Sequence, residues 1–368
     1  FENSKDVWAP FKDCVFHIVE FVSRDNLEVP VIWSCRKDYT LHTYQEEGQL
    51  RVQKLLNEND LWRIVQLDIE YHAILDKRQG IQKLFDSLHV VDILFDRLIK
   101  DAKSIPALQD LYEYLSFTYS KEIHEKEEKE ADDEQRDHPG SKKHKIHSRF
   151  NIFERIKEDP IYKVVEAFGM TAEHFGENVS SNARIYVTED PAEKPDEVVK
   201  KNVSSGSYFK QETKALNAVK HMYSEQLAHS PELRAHLRNA YEHYATIDIR
   251  LTEKGRDEIG EKSPYADFKY AENRAMESFV YKPDLFPRML EAESLGLCHI
   301  NVGLKSAYKS FVDHLFTFLS SDGTSDISNS WNTLRRSCLD LALGKMAPSI
   351  ASEIKEELGQ KSERLLFF

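Results

Sequence analysis

Long apolar runs are missing from this chain: none approaches the ~20 residues that a helical membrane span needs. Cysteine is scarce. Cys14, Cys35, Cys298 and Cys338 form no CxxC or other ligand spacing, so they read as buried, reduced thiols of an intracellular protein rather than a metal or redox centre. No GxxxxGK[ST] loop is present to cradle phosphates, no GxGxxG opens a helix, no HExxH offers zinc ligands and no GxSxG forms a nucleophile elbow. The fifteen histidines are scattered, without partners at catalytic spacing. Acid pairs such as Asp132-Asp133 and Glu356-Glu357 lie in strongly charged stretches, not in a cleft with apolar walls that would shift their pKa values. These absences assign no catalytic residue, no metal and no cofactor, and they argue against an enzyme. There is no signal peptide, and a chain that begins at Phe1 without methionine reads as a piece of something larger.

What is present is an ordinary globular composition of 368 residues, 40% hydrophobic and 31% charged, long enough for two or three subdomains. The net charge of −13 disfavours nonspecific coating of DNA and suits basic partners.

Helical periodicity runs through most of the sequence. Trp8, Phe11, Val15, Ile18, Val19 and Val22 place an amphipathic helix over 5–24, and Pro30 opens a short helix in LEVPVIWSCRKDYT. The adjacent Arg36, Lys37 and Asp38 are expected to pair among themselves or with nearby acids. Residues 41–50 read as a polar loop. Asp60 then caps a long helix whose apolar stripe includes Leu61, Ile64, Val65, Ile69, Ile81 and Phe85, with His72 on or beside that face. Further helices are predicted over 89–101, 108–120, 207–229, 231–245, 305–319 and 328–358, the last with a break at Pro348. TIDIRL (246–251) and LCHINVGL (297–304) alternate like half-buried strands and should pair with each other.

Between the helical regions, composition changes sharply. Residues 121–137 carry nine acids, and KKHKIHSR (142–149) carries four Lys or Arg and no acid. A charged, solvated linker is expected over 121–149, with Lys142, Lys143, Lys145 and Arg149 as the nucleic-acid-binding candidates.

Residues 159–182 carry the pattern of a helix-turn-helix. Asp159-Pro160 reads as a helix start, Ile161, Val164, Val165 and Phe168 follow at helical spacing, and Gly169 stops the run. Thr171 opens a second helix with Phe175 and Val179 inward. Val164, Val165, Phe168, Gly169, Phe175 and Val179 are therefore the expected packing residues. The second helix offers Glu173, His174, Glu177 and Asn178 and no Lys or Arg, and its carboxylates would repel phosphates. The motif reads as a packing unit first and a groove reader second.

The residues thus predict a mainly α, multi-helix scaffold with a helix-turn-helix unit and one small pair of β-strands. Five segments are expected: a helical region 1–120, the linker 121–149, a helix-turn-helix-containing region 150–245, a small α/β insert 246–304 and C-terminal helices 305–368.

Several stretches also resemble a known family. LEVPVIWSCRKDY (27–39), DLWRIVQLDIEYHAILDKR (60–78) and LQDLYEYL (108–115) look like the N-terminal helical region of the Suppressor of Ty six elongation factors, eukaryotic relatives of the bacterial protein Tex. AFGMTAEHFGENV (167–179) resembles that family's helix-turn-helix region, and IDIRLTEKGRDEI (247–259), LEAESLGLCHINVGL (290–304) and SWNTLRRSCLDLAL (330–343) resemble the segments after it. The resemblance implies a nuclear, noncatalytic scaffold segment of a transcription elongation factor and histone chaperone that travels with RNA polymerase II. The implied partners are histones, the polymerase elongation complex, nucleic acid held weakly and nonspecifically, and other domains of the same full-length protein, with no membrane. C-terminal helices would lead on to a nuclease-like domain. The alternative is a sequence-specific DNA-binding regulator using the helix-turn-helix; substitutions over Glu173–Asn178 separate the two, because only a regulator should lose base preference.

Overall fold

Helices dominate, as the periodicity predicts. The computed structural model describes residues 7–46, 48–137, 151–204, 206–269, 271–279, 282 and 284–367. They divide into one unit of residues 1–87 with 103–108 and a second of 88–102 with 109–368.

In the first unit, α1 (Trp8–Ser23) and α2 (Val29–Cys35) precede a hairpin of β1 (Leu41–Glu46) and β2 (Gln49–Lys54), followed by α3 (Glu58–Leu88). Pro30 sits in the first turn of α2, where its missing N–H costs nothing. Cys14, Ile18, Val29, Ile32, Leu55, Leu56 and Leu61 form the core. A reciprocal capping box starts α3: Asp60 N–H donates to Asn57 Oδ1 and Asn57 N–H to Asp60 Oδ2, at 3.0 and 2.7 Å. Asn57 is therefore the cap, and Asp60 closes the box three residues later.

Two expectations change in this unit. Residues 41–50 are not loop, because Leu41 pairs with Lys54 and Glu46 with Gln49 in an antiparallel ladder. Gly48, at φ +78°, supplies the turn. The described hairpin side chains are mostly exposed, so the polarity alternation that marks a half-buried strand is absent. On α3, Ile69 is 65% exposed, and His72 stands in solvent 3.7 Å from Asp68 rather than on an apolar face.

The second unit contains α4 (Ile93–Asp101), α5 (Ile105–Thr118) from residue 109 onward, α6 (Ser120–Asp137), α7 (Asn151–Glu158), α8 (Tyr162–Glu166), α9 (Ala172–Ser181), α10 (Pro195–Ser204), α11 (Glu212–Ala228) and α12 (Pro231–Tyr244). After these come β3 (Thr246–Leu251), α13 (Glu253–Glu258), β4 (Arg274–Ala275), α14 (Leu285–Ser294), β5 (Cys298–Gly303), α15 (Lys305–Leu319) and α16 (Asp326–Phe367). The acidic part of the expected linker is helical through Asp137 as α6, since Glu and Lys are good helix formers that need no buried face.

The two predicted strands do pair, antiparallel, with Ile247 opposite Val302 and Ile249 opposite Ile300; β4 adds a short third strand on the other edge of β3. The small pair of strands is thus a three-stranded sheet, and with the hairpin it is one of two among the described residues. Helix α16 runs unbroken through Pro348. The hydrogen bond lost there is the one to the Gly344 carbonyl, while buried Met346, Ile350 and Ile354 anchor the helix on both sides.

Candidate functional site

Several buried polar groups of the second unit, Asn178, Glu232 and Arg335 among them, gather around the α8–α9 pair. Asp159 does not cap α8 directly. Its Oδ1 accepts from Ile161 N–H at 2.8 Å and its Oδ2 from Tyr208 N–H at 2.7 Å, so it fixes the loop before the helix. Val164, Val165, Phe168, Phe175 and Val179 are all buried in the main core. Gly169 has φ +73°, and a Cβ there would stand 2.0 Å from the Glu189 carbonyl oxygen. Both conformation and space therefore demand glycine. Gly169→Ala is expected to lower stability by about 1–3 kcal/mol from backbone strain alone, read as a shifted urea midpoint. A midpoint within error of wild type would contradict that reading of the turn.

Thr171 caps α9 by accepting from His174 N–H at 3.2 Å. The polar side chains that a recognition helix would hold free are mostly engaged here. Asn178 is fully buried; its Oδ1 accepts from Ile185 and Tyr186 N–H at 2.8 and 2.9 Å, and its Nδ2 donates to Tyr186 O at 2.8 Å. His174 stacks on Tyr186 with ring centroids 3.9 Å apart. Glu177 accepts from Arg97 at 3.0 Å. Glu173 is exposed, and among the described residues it makes no hydrogen bond to the fold.

Arg97, on α4, also donates to Glu232 at 2.8 Å. Gly176 lets α9 approach Glu232 closely, since a Cβ at 176 would fall 2.3 Å from its Oε2. That oxygen is buried and has no hydrogen-bond partner among the described residues. Burial pushes the Glu232 carboxyl up to about 7; Arg97 opposes the rise, and Glu177 and Glu173 reinforce it. An acid whose folded pKa is raised contributes stability fully present below its unfolded value of 4.5 and lost as pH climbs through about 7. Glu232→Gln should therefore remove one proton's worth of slope from the stability curve between those limits. Parallel curves for variant and wild type would refute this.

Arg335 of α16 is completely buried. Its Nε and Nη2 donate to the Phe168 carbonyl at 3.0 and 2.8 Å, Nη2 also to Glu189 O at 3.3 Å, and Nη1 to Asp190 Oδ1 and Asn332 Oδ1 at 2.7 and 2.9 Å. Burial works against ionised Asp190, yet the hydroxyls of Ser321 and Ser328 and the Arg335 guanidinium hold its carboxyl below its ordinary value. Asp110 of α5 forms a second centre, accepting from Arg234 Nε at 2.6 Å and from Arg238 at 2.8 and 3.1 Å. Arg238 reaches on to Glu353 of α16 at 3.0 Å.

A cleft of about 630 Å³ opens beside the α8–α9 turn, lined among others by Tyr114, Phe117, Tyr162, Thr171 and His229. Phe117 stacks on His229 at 4.3 Å, and Gln226 donates to the Tyr162 hydroxyl. The lining holds no nucleophile–base–orienter set; the Thr171 and Ser230 hydroxyls are spent on helix caps. Among the described residues no group of His, Cys, Asp or Glu could hold a metal ion, and no helix is long and apolar enough to cross a membrane. Lys142, Lys143, Lys145 and Arg149 lie outside the described residues. Sequence reading did not single out Arg335, Arg234, Arg238 or Asp110, and it placed Asn178 among the groove-facing side chains, not in the core. Their one visible signal is a polar residue at an inward helical position.

Comparison with known proteins places this arrangement. The chain is 40% identical to the transcription elongation factor SPT6 of Candida albicans over 98% of its length, and 41% identical to that of Debaryomyces hansenii over 97%. The Saccharomyces cerevisiae factor is 34% identical over 97%. The chain belongs to the SPT6 family. It spans about a quarter of the length of these relatives, all of which carry the name of an elongation factor, not of an enzyme class. A family model described as the helix-turn-helix DNA-binding domain of SPT6 matches residues 1–93, and one described as Tex central region-like matches 190–366. Within the SPT6 family, then, the helix-turn-helix DNA-binding description falls on α1, α2, the hairpin and α3, outside the α8–α9 pair.

Proposed function

We propose that this chain is a noncatalytic scaffold segment of a nuclear transcription elongation factor and histone chaperone that acts with RNA polymerase II on chromatin. Its work is done by surfaces that meet histones, the polymerase elongation complex, nucleic acid and the other domains of its own full-length protein. The observation that carries this reading is the use made of its buried charges. Arg335, Arg234, Arg238 and Asp110 are spent on joining helices, which is what a rigid support for partner surfaces requires and what a catalytic cleft does not. Helix α9, read as the packing element of a helix-turn-helix, belongs to the same support.

A second reading, favoured by the match of residues 1–93 to the helix-turn-helix DNA-binding family model, is nucleic-acid contact by the first unit. Binding of the purified chain to core histones and to a reconstituted polymerase II elongation complex tests the scaffold reading. Saturable binding to either, with no turnover of nucleic acid, is expected. Absence of both, or hydrolysis of the nucleic acid, would defeat it.

A further inference from the structure

The first unit carries cations that rest on aromatic rings and not on carboxylates. Lys37 Nζ and Lys54 Nζ each lie 4.7 Å from the centroid of the Trp33 ring, so the two ammonium groups stand no more than twice that distance apart. Arg36 lies 5.9 Å from the Phe21 ring. Among the described residues none of these three forms an ion pair with a carboxylate, although Asp38 stands exposed between them in sequence. The pairing of Arg36, Lys37 and Asp38 expected from sequence is thus not made.

The C-terminus of α2 accounts for cations at 36 and 37. It does not account for Lys54, which arrives from the end of β2, opposite Leu41. Two like charges converging on one half-buried indole repel each other, and cation–π contact at a surface returns only about 0.5–1 kcal/mol apiece. An anion lying between them would relieve that repulsion. On the hairpin's other face His42 stacks on Tyr44 at 5.7 Å, with Arg51 paired opposite Tyr44. Cations interleaved with exposed aromatic rings are the surface chemistry of nucleic-acid backbones, where phosphates take the charges and rings meet sugars or bases.

We infer that Lys37 and Lys54, set around Trp33 at the base of the β1–β2 hairpin, form a phosphodiester-contacting site for nucleic acid, with Arg36 at its margin. This rests on the nucleic-acid reading of residues 1–93 and specifies it: the contact is made from the α2 end and the hairpin base, to backbone rather than to base edges.

The test is fluorescence anisotropy of labelled single-stranded and duplex DNA with the whole chain over a salt series. It compares wild type with K37E/K54E, with K200E/K210E as an equal charge change on exposed lysines of the second unit, and with K142E/K143E/K145E. Circular dichroism checks that each variant is folded. The inference expects K37E/K54E to weaken binding about tenfold or more. The salt slope should fall by about 1.8 on duplex or about 1.4 on single strands, two phosphates' worth; whichever substrate shows the fall is the source. K200E/K210E should change affinity less than about twofold. Equal losses in both double variants, or a loss confined to K142E/K143E/K145E, would overturn the inference while leaving nucleic-acid binding intact. Polyglutamate competing as well as DNA, mole for mole of charge, would also overturn it. A wild-type chain that binds no DNA at low salt would overturn the nucleic-acid reading as well.

Discussion

Arg335→Met is expected to destabilise the second unit by about 3–5 kcal/mol, the scale for removing one partner of a buried, hydrogen-bonded charge. The substitution keeps much of the aliphatic volume, so little of the effect should come from a cavity. It leaves the Phe168 carbonyl without its two guanidinium donors and Asp190 without its cation. Because Phe168 also stacks on Tyr223 at 4.1 Å and meets Trp331 edge-on at 5.5 Å, the loss should reach the near-ultraviolet aromatic signal as well as the urea midpoint. A pH signature follows. The Asp190 carboxyl sits below its ordinary 3.8 in the folded chain, so its contribution is present above that value and is lost as pH falls through the lower, folded one. Without Arg335 that loss should shrink, so the acid limb flattens and the gap between variant and wild type narrows as pH falls below 3.8. A midpoint within about 1 kcal/mol of wild type, with an unmoved acid limb, would show that this network is not what holds the α8–α9 turn to α16.

Asp110→Ala should have an effect of similar size, about 3 kcal/mol or more, for the converse reason. It removes the one acid on which two arginines converge. Arg234 and Arg238 would keep Glu113 and Glu353 at 3.1 and 3.0 Å, which sets the lower end of the estimate. The two halves of the network are coupled. A double variant D110A/R234A should therefore cost less than the sum of its single variants, by about 0.5–3 kcal/mol in a denaturation cycle. Strict additivity would mean that the contacts are geometrically present but energetically idle.

Much of this framework is legible in the sequence. The apolar stripes locate α1, α11, α12 and α15 to within a few residues, and the alternation in TIDIRL and CHINVG locates the strands that pair. Gly169 and Thr171 mark the turn because their roles are local: a positive φ and a cap bond three residues away. The hairpin at 41–54 escaped because both its faces meet solvent, so no pattern of burial marks it. Continuity of α16 past Pro348 was hidden because tertiary packing around Met346 and Ile350 overrides a single lost hydrogen bond. The polar centres were invisible for a different reason. Arg335 lies 145 residues beyond Asp190 and Arg234 lies 124 beyond Asp110, and nothing in local periodicity says which distant groups will meet. The same limit hid the convergence of Lys37 and Lys54 on Trp33.

The claim on which the account turns is that α9 supports rather than reads. Three of the four polar side chains that would face a groove are already engaged, with Asn178 sealed in the core. The most direct measurement is selection of bound duplexes from a random-sequence pool by the whole chain, followed by affinities of the recovered duplexes across a salt series. The account predicts no enriched motif and an affinity that falls steeply with salt on every duplex, unchanged when Glu173 and His174 are replaced by alanine. An enriched motif bound about tenfold or more above the pool, persisting at moderate salt and abolished by those same replacements, would contradict it and make α9 a recognition helix.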